Sequence, residues 1–118
     1  MNETAARDAP DADRPCDEVA DGPDFEALGE NARRLRIVNR KGLHARASAK
    51  FVQTVERFDA EVSVTRCGDT VGGRSIMGLL TLAAAKGTTI DVMARGAQAR
   101  EALDALTALI AGRFGEEE

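Results

Sequence analysis

The chain has no tryptophan and no tyrosine, and its only aromatic residues are four phenylalanines. A core built from it must therefore be aliphatic. Histidine is scarcer still, with His44 the single imidazole. The two cysteines, Cys16 and Cys67, stand far apart, so there is no clustered ligand set and neither a metal nor a cofactor is expected. Cys67 reads as a strand-end or turn residue, and Cys16 as an exposed thiol in a reducing compartment. No apolar run reaches the roughly 18 residues of a membrane span, so no membrane insertion is expected. The first residues lack the apolar stretch of a secretory signal, which gives a cytoplasmic location as the expectation. No second histidine or placed acid accompanies a nucleophile in a hydrolytic motif, which disfavours a small enzyme. "GDTVGG" lacks the Lys-Ser/Thr that completes a Walker loop, so no nucleotide site is read there.

What is present is unevenly distributed. All three prolines lie before residue 24, in a front rich in Asp and Glu. Residues 1–30 hold ten acidic and two basic side chains, a local charge of −8, whereas 31–118 hold ten acidic and fourteen basic, a charge of +4. The front carries too few large apolar groups to offset its ordering entropy, so 1–32 reads as a disordered acidic extension. A sharper possibility is that it folds over the basic domain and modulates partner access. The 118 residues suffice for one domain, assigned to 33–115, with an acidic tail at 116–118.

From Arg33 onward the periodicity is clear. "RRLRIVN" alternates Leu35 and Ile37 against Arg34 and Arg36, as a half-buried strand does. "ARASAKFVQTVERF" spaces Ala47, Phe51, Val55 and Phe58 as one face of a helix. "AEVSVTRC" and "DTVGG", separated by a Gly-Asp turn, form a hairpin. "RSIMGLLTLAAA" is a short helix with Ser75 as its N-cap. "TTIDVMA" is a fourth strand, and "AQAREALDALTALIAGRF" a closing helix along Ala99, Ala102, Leu103, Leu106, Leu109 and Ile110. The order predicts an α+β open-faced β-sandwich, a four-stranded antiparallel sheet with three helices on one face.

His44 falls where the "RKG" loop meets the first helix. A helix N-terminus offers backbone N–H groups without intrahelical partners and the positive end of the dipole, a setting suited to phosphate. Arg46 adds a permanent cation for phosphate oxygens. Nearby positive charge also opposes protonation of a ring, which leaves a lone pair for nucleophilic work. These features together describe a phosphoryl acceptor. On the residues alone, a capping or surface role for His44 stays open beside it.

"GLHARASAKFV" and "GRSIMGLLTLAAAKGTTIDV", followed by the terminal helix, make 33–115 resemble the histidine-containing phosphocarrier (HPr) family of the bacterial phosphoenolpyruvate-dependent phosphotransferase system. The resemblance implies that His44 is phosphorylated on Nδ1 by enzyme I, that Arg46 stabilises the phosphate, and that IIA-type proteins receive the group. It implies that Ser75 is a regulatory phosphorylation site for an HPr kinase/phosphorylase. It also implies that Ile76, Met77 and Leu80 form an apolar docking patch, beside which Lys50 supplies charge for acidic partners. Neither a nucleic-acid partner nor a stable oligomer is expected, so the carrier is taken as a monomer and as a stoichiometric intermediate rather than an enzyme. Sugar-transport members commonly carry proline at the position of Ala47, whereas alanine is frequent in the nitrogen-related branch and in some regulatory members. The alternative function is a regulatory binding module whose phosphorylation state controls partners without onward transfer.

Overall fold

In a computed structural model, described here for residues 25–116, the alternating segments pair into one antiparallel sheet. Its strands are β1 (Phe25–Gly29), β2 (Ala32–Arg36), β3 (Glu61–Arg66), β4 (Asp69–Gly72) and β5 (Thr89–Arg95), in the order β1-β2-β5-β3-β4. The helices are α1 (Ala45–Val55), α2 (Ile76–Thr81) and α3 (Ala99–Ala111), followed by a 3-10 turn at Arg113–Gly115. The α+β class, the three helices and the antiparallel sheet match the sequence expectation. The strand count does not.

The fifth strand is β1, which lies inside the stretch assigned to the extension. It folds back on β2 with Phe25 opposite Leu35 and Glu26 opposite Arg34, and the register shifts between Ala27 and Gly29. All five of its residues are exposed, so it shows no inward face for a pattern to reveal. Backbone pairing holds it, helped by the Arg33 guanidinium 5.2 Å from the centre of the Phe25 ring. The expected extension from 1 to 24 lies outside the described residues.

Between the sheet and the helices lies an aliphatic core. Leu35, Val64, Ile90 and Val92 point inward from the strands and meet Phe51 and Val55 of α1 and Leu103, Leu106 and Ile110 of α3, all within 2% of full burial. Each such side chain contributes about 1.5–3 kcal/mol by leaving water. The opposite face carries Arg34 paired with Asp91 across β2 and β5, together with Ser63, Thr65 and the exposed Met93. That is the solvated face the pattern called for.

Two local features bear on function. α2 is shorter than the apolar run suggested, stopping at Thr81, and its C-cap carbonyl at Leu82 accepts from Arg66 Nη1 at 2.8 Å. After α3 the chain turns sharply, with Arg113 and Phe114 in the left-handed region at φ 59° and 55°. Such a conformation costs a non-glycine residue about 1–2 kcal/mol. It persists here because Phe114 is driven into the core, 1% exposed. Cys67 occupies the β3–β4 turn as expected, at φ 56°; Cys16 lies outside the described residues.

Candidate functional site

The loop from β2 to α1 is built around Gly42. Its φ of 70° suits glycine, and a Cβ there would lie 2.5 Å from the Ala84 carbonyl oxygen. That tight approach lets Leu43 N–H donate to the same carbonyl at 2.9 Å, pinning the loop to the segment that leaves α2. Asn39, fully buried at the end of the β2 run, donates from Nδ2 to Gly42 O at 2.8 Å. The next residues deliver His44 as the N-cap of α1, with φ −80° and ψ −176°.

In this position the His44 ring has two defined contacts. Nδ1 accepts from Arg46 N–H at 3.2 Å, satisfying one of the donors that a helix start leaves over. Nε2 meets Glu116 Oε2, while Glu116 Oε1 accepts from Asn39 Nδ2 at 3.0 Å. The ring and the carboxylate are both partly shielded, with 27% and 20% of their side-chain surface exposed. Burial pushes the Glu116 carboxyl up, but the hydrogen bonds from Asn39 and His44, with the positive charge of Lys41, more than offset this and hold it below its ordinary value.

Glu116 therefore corrects two expectations. Assigned to the acidic tail at 116–118, it packs instead on the ring; residues 117–118 lie outside the described part. The positive surroundings expected for His44 also include a carboxylate, because the turn after α3 brings the chain end back to α1. The sequence held two signals for this. Asn39 shares the inward phase of Leu35 and Ile37, which marks a buried polar group in need of partners, and Phe114 stands as a lone large apolar residue between glycines.

The other expected residues fall as follows. Arg46 is exposed on the first turn of α1 and makes no ion pair among the described residues. Lys50 does not project freely; its Nζ donates to Phe114 O at 2.6 Å and so braces the turn that carries Glu116. Ser75 is the N-cap of α2, with Oγ accepting from Gly78 N–H at 2.9 Å, and it is exposed. Ile76 and Met77 are exposed by 39% and 70%, Leu80 is half-buried, and Leu79 supplies the buried side of α2. α1 and α2 pack against each other, so His44 and Ser75 cap adjoining helices. Ala47 is buried in the first turn of α1, where a proline would forfeit no intrahelical hydrogen bond. The backbone thus accepts either residue there, and Ala47 does not select a branch through the fold. Among the described residues no group of His, Cys, Asp and Glu is placed to hold a metal, and no helix is long and apolar enough to cross a membrane.

Comparison with known proteins agrees with this geometry. A family model described as the PTS HPr component phosphorylation site matches residues 31–112. Over 84 residues, the chain is 56% identical to a phosphocarrier protein HPr of Neisseria meningitidis, covering 71% of this chain and 94% of the relative. A phosphocarrier protein NPr of Shewanella violacea is 38% identical over 84 residues, covering 71% and 92%. Among solved structures, an HPr from Thermoanaerobacter tengcongensis superposes with a TM-score of 0.72 at 37% identity, covering 75% of this chain and all of that one.

Proposed function

Because the chain belongs to the HPr family of phosphotransferase-system phosphocarriers, we propose that His44 accepts a phosphoryl group from phospho-enzyme I on Nδ1 and passes it to IIA-type proteins. One observation carries this reading. The only imidazole of the chain caps α1 with Nδ1 turned to the helix start, beside an exposed Arg46 without an ion pair among the described residues. The Nδ1 lone pair forms the new N–P bond while the donor's bond to phosphorus breaks. Arg46 and the remaining first-turn N–H groups then carry the phosphate charge. Discharge reverses the step: the acceptor's nucleophile takes phosphorus, and the bonding pair returns to Nδ1. The protein is a stoichiometric intermediate that acts in the cytoplasm as a monomer.

Ile76, Met77 and Leu80 form the docking patch. The 70% exposure of Met77 supports it, since a flexible apolar side chain suits a surface that meets several partners. Ser75 is the regulatory site for an HPr kinase/phosphorylase. Its hydroxyl is exposed at a helix start, where a phosphate is tolerated by the backbone and adds negative charge beside the docking patch. The 38% identity to an NPr supports a nitrogen-related role beside the general phosphotransferase-system role that the 56% identity to an HPr supports. The part of the extension that precedes β1, residues 1–24, is proposed as a segment that modulates partner access.

The test incubates the chain with enzyme I and phosphoenolpyruvate, then with IIA proteins of the sugar and nitrogen branches. Acid-labile phosphate on the wild type, absent from His44→Ala and discharged to a IIA protein, is the expected result. Phosphorylation without discharge to any IIA protein would favour the regulatory module instead.

A further inference from the structure

We propose that Glu116, held in place by Asn39, is a positioning residue for His44: it keeps the ring proton on Nε2, so that the Nδ1 lone pair meets the phosphoryl group, and it balances the charge the ring gains. This rests on the phosphocarrier reading and adds to it a residue from the far end of the chain.

Asn39 Nδ2 donates both to Gly42 O and to Glu116 Oε1, two groups that only accept, so the amide orientation is fixed. With Asn39 fully buried, this is a rigid donor aimed at one carboxylate oxygen. The other oxygen faces His44 Nε2. An ionised carboxylate cannot donate, so the proton of this contact belongs to Nε2. On the opposite side of the ring Arg46 N–H donates to Nδ1, which assigns the lone pair to that nitrogen. Both contacts specify the same tautomer.

Glu116 reaches the ring through a turn the backbone disfavours. Arg113, Phe114 and Gly115 all have positive φ, and only the last is glycine. Burial of Phe114, the bond from Lys50 Nζ to its carbonyl, and the Glu116 N–H to Arg113 O bond at 2.9 Å hold the turn. Strained residues kept in place by their surroundings cluster where geometry serves function.

When Nδ1 gives its lone pair to phosphorus, the ring retains the Nε2 proton and becomes cationic, and the Glu116 carboxylate lies against that charge. On discharge the N–P electron pair returns to Nδ1 and the ring is neutral again. The Nε2 proton never leaves. A carboxylate that orients and balances a histidine in this way plays the part of the aspartate in a Ser-His-Asp triad.

The experiment uses the full chain with enzyme I and phosphoenolpyruvate, together with ¹⁵N spectra of His44 in the unphosphorylated protein. Glu116→Ala should lower the phosphorylation rate roughly tenfold, the loss expected for one charge-assisted hydrogen bond, and should shift the His44 ¹⁵N resonances away from a single Nε2–H tautomer. Glu116→Gln should also fail to restore the rate, because Asn39 Nδ2 and Nε2–H face different carboxylate oxygens and the amide NH2 would stand donor-to-donor against one of them. Wild-type rates in both variants, or a slowed rate with unchanged ¹⁵N resonances, would overturn the positioning role. If the wild type itself takes no phosphate, the carrier reading fails, while the ¹⁵N spectra still decide whether Glu116 sets the tautomer.

Discussion

Replacing Gly42 by alanine tests whether the close approach of the His44 loop to the segment after α2 is what fixes the site. Gly68, in the β3–β4 turn, serves as its control. Both glycines have positive φ, 70° and 83°, so an alanine costs each about 1–2 kcal/mol in backbone strain. Reduced freedom of the unfolded chain returns about 0.4–1 kcal/mol in each case. At Gly68 nothing lies within 4 Å of the added carbon, and the account ends near 1 kcal/mol. At Gly42 the methyl meets Ala84 O at 2.5 Å and Ala85 Cα at 3.0 Å, both backbone atoms that cannot rotate away. Relief requires moving the loop, which adds about 1–3 kcal/mol of overpacking and the loss of the Leu43 N–H to Ala84 O bond at about 1 kcal/mol. The expected total is about 3–5 kcal/mol, at least about 2 kcal/mol beyond Gly68→Ala. Urea unfolding followed by far-UV circular dichroism measures both, since the chain has no tryptophan to report. Gly42→Ala should also slow phosphorylation of the protein that remains folded, and Gly68→Ala should not. Equal destabilisation by the two variants would refute the reasoning.

The two faces of α2 should separate cleanly. Leu79→Ala removes a fully buried side chain and should cost about 2–5 kcal/mol, whereas Met77→Ala should leave thermal stability within about 0.5 kcal/mol and raise the KM for partner proteins. Ser75→Ala should lose about 1 kcal/mol with the cap on Gly78 N–H and take no phosphate from the kinase; full labelling of that variant would remove the regulatory assignment. Acid stability carries the mark of Glu116. Its carboxyl is lower in the folded state than in the unfolded one, so its contribution is complete above the ordinary glutamate pKa of about 4.3 and is lost as pH falls through the lowered folded value. Melting temperatures between about pH 5 and pH 3 should therefore fall less steeply for Glu116→Ala than for the wild type.

The sequence revealed most where burial imposes a period. Leu35 and Ile37 alternate with arginines because one face of β2 is sealed by helices and the other is wet. The helices were legible for the same reason, and the cap at Ser75 followed from residue type and place, whereas histidine is not a preferred cap type and left that role at His44 open. β1 escaped because all five of its residues face water, so only backbone pairing distinguishes it from a tail. Glu116 escaped because its role depends on a left-handed turn at Arg113 and Phe114, a conformation that neither residue type advertises. The contact joins residues 72 positions apart, and spacing rules within a helix or strand do not reach that far.

The central claim is that phosphorus becomes bonded to Nδ1 of His44. ³¹P spectroscopy of the chain after reaction with enzyme I and phosphoenolpyruvate addresses it directly, because the two ring nitrogens give distinct phosphohistidine resonances. A single Nδ1-phosphohistidine signal, lost in His44→Ala, is the predicted result; a signal from Nε2-phosphohistidine, or one that survives the substitution, would contradict it.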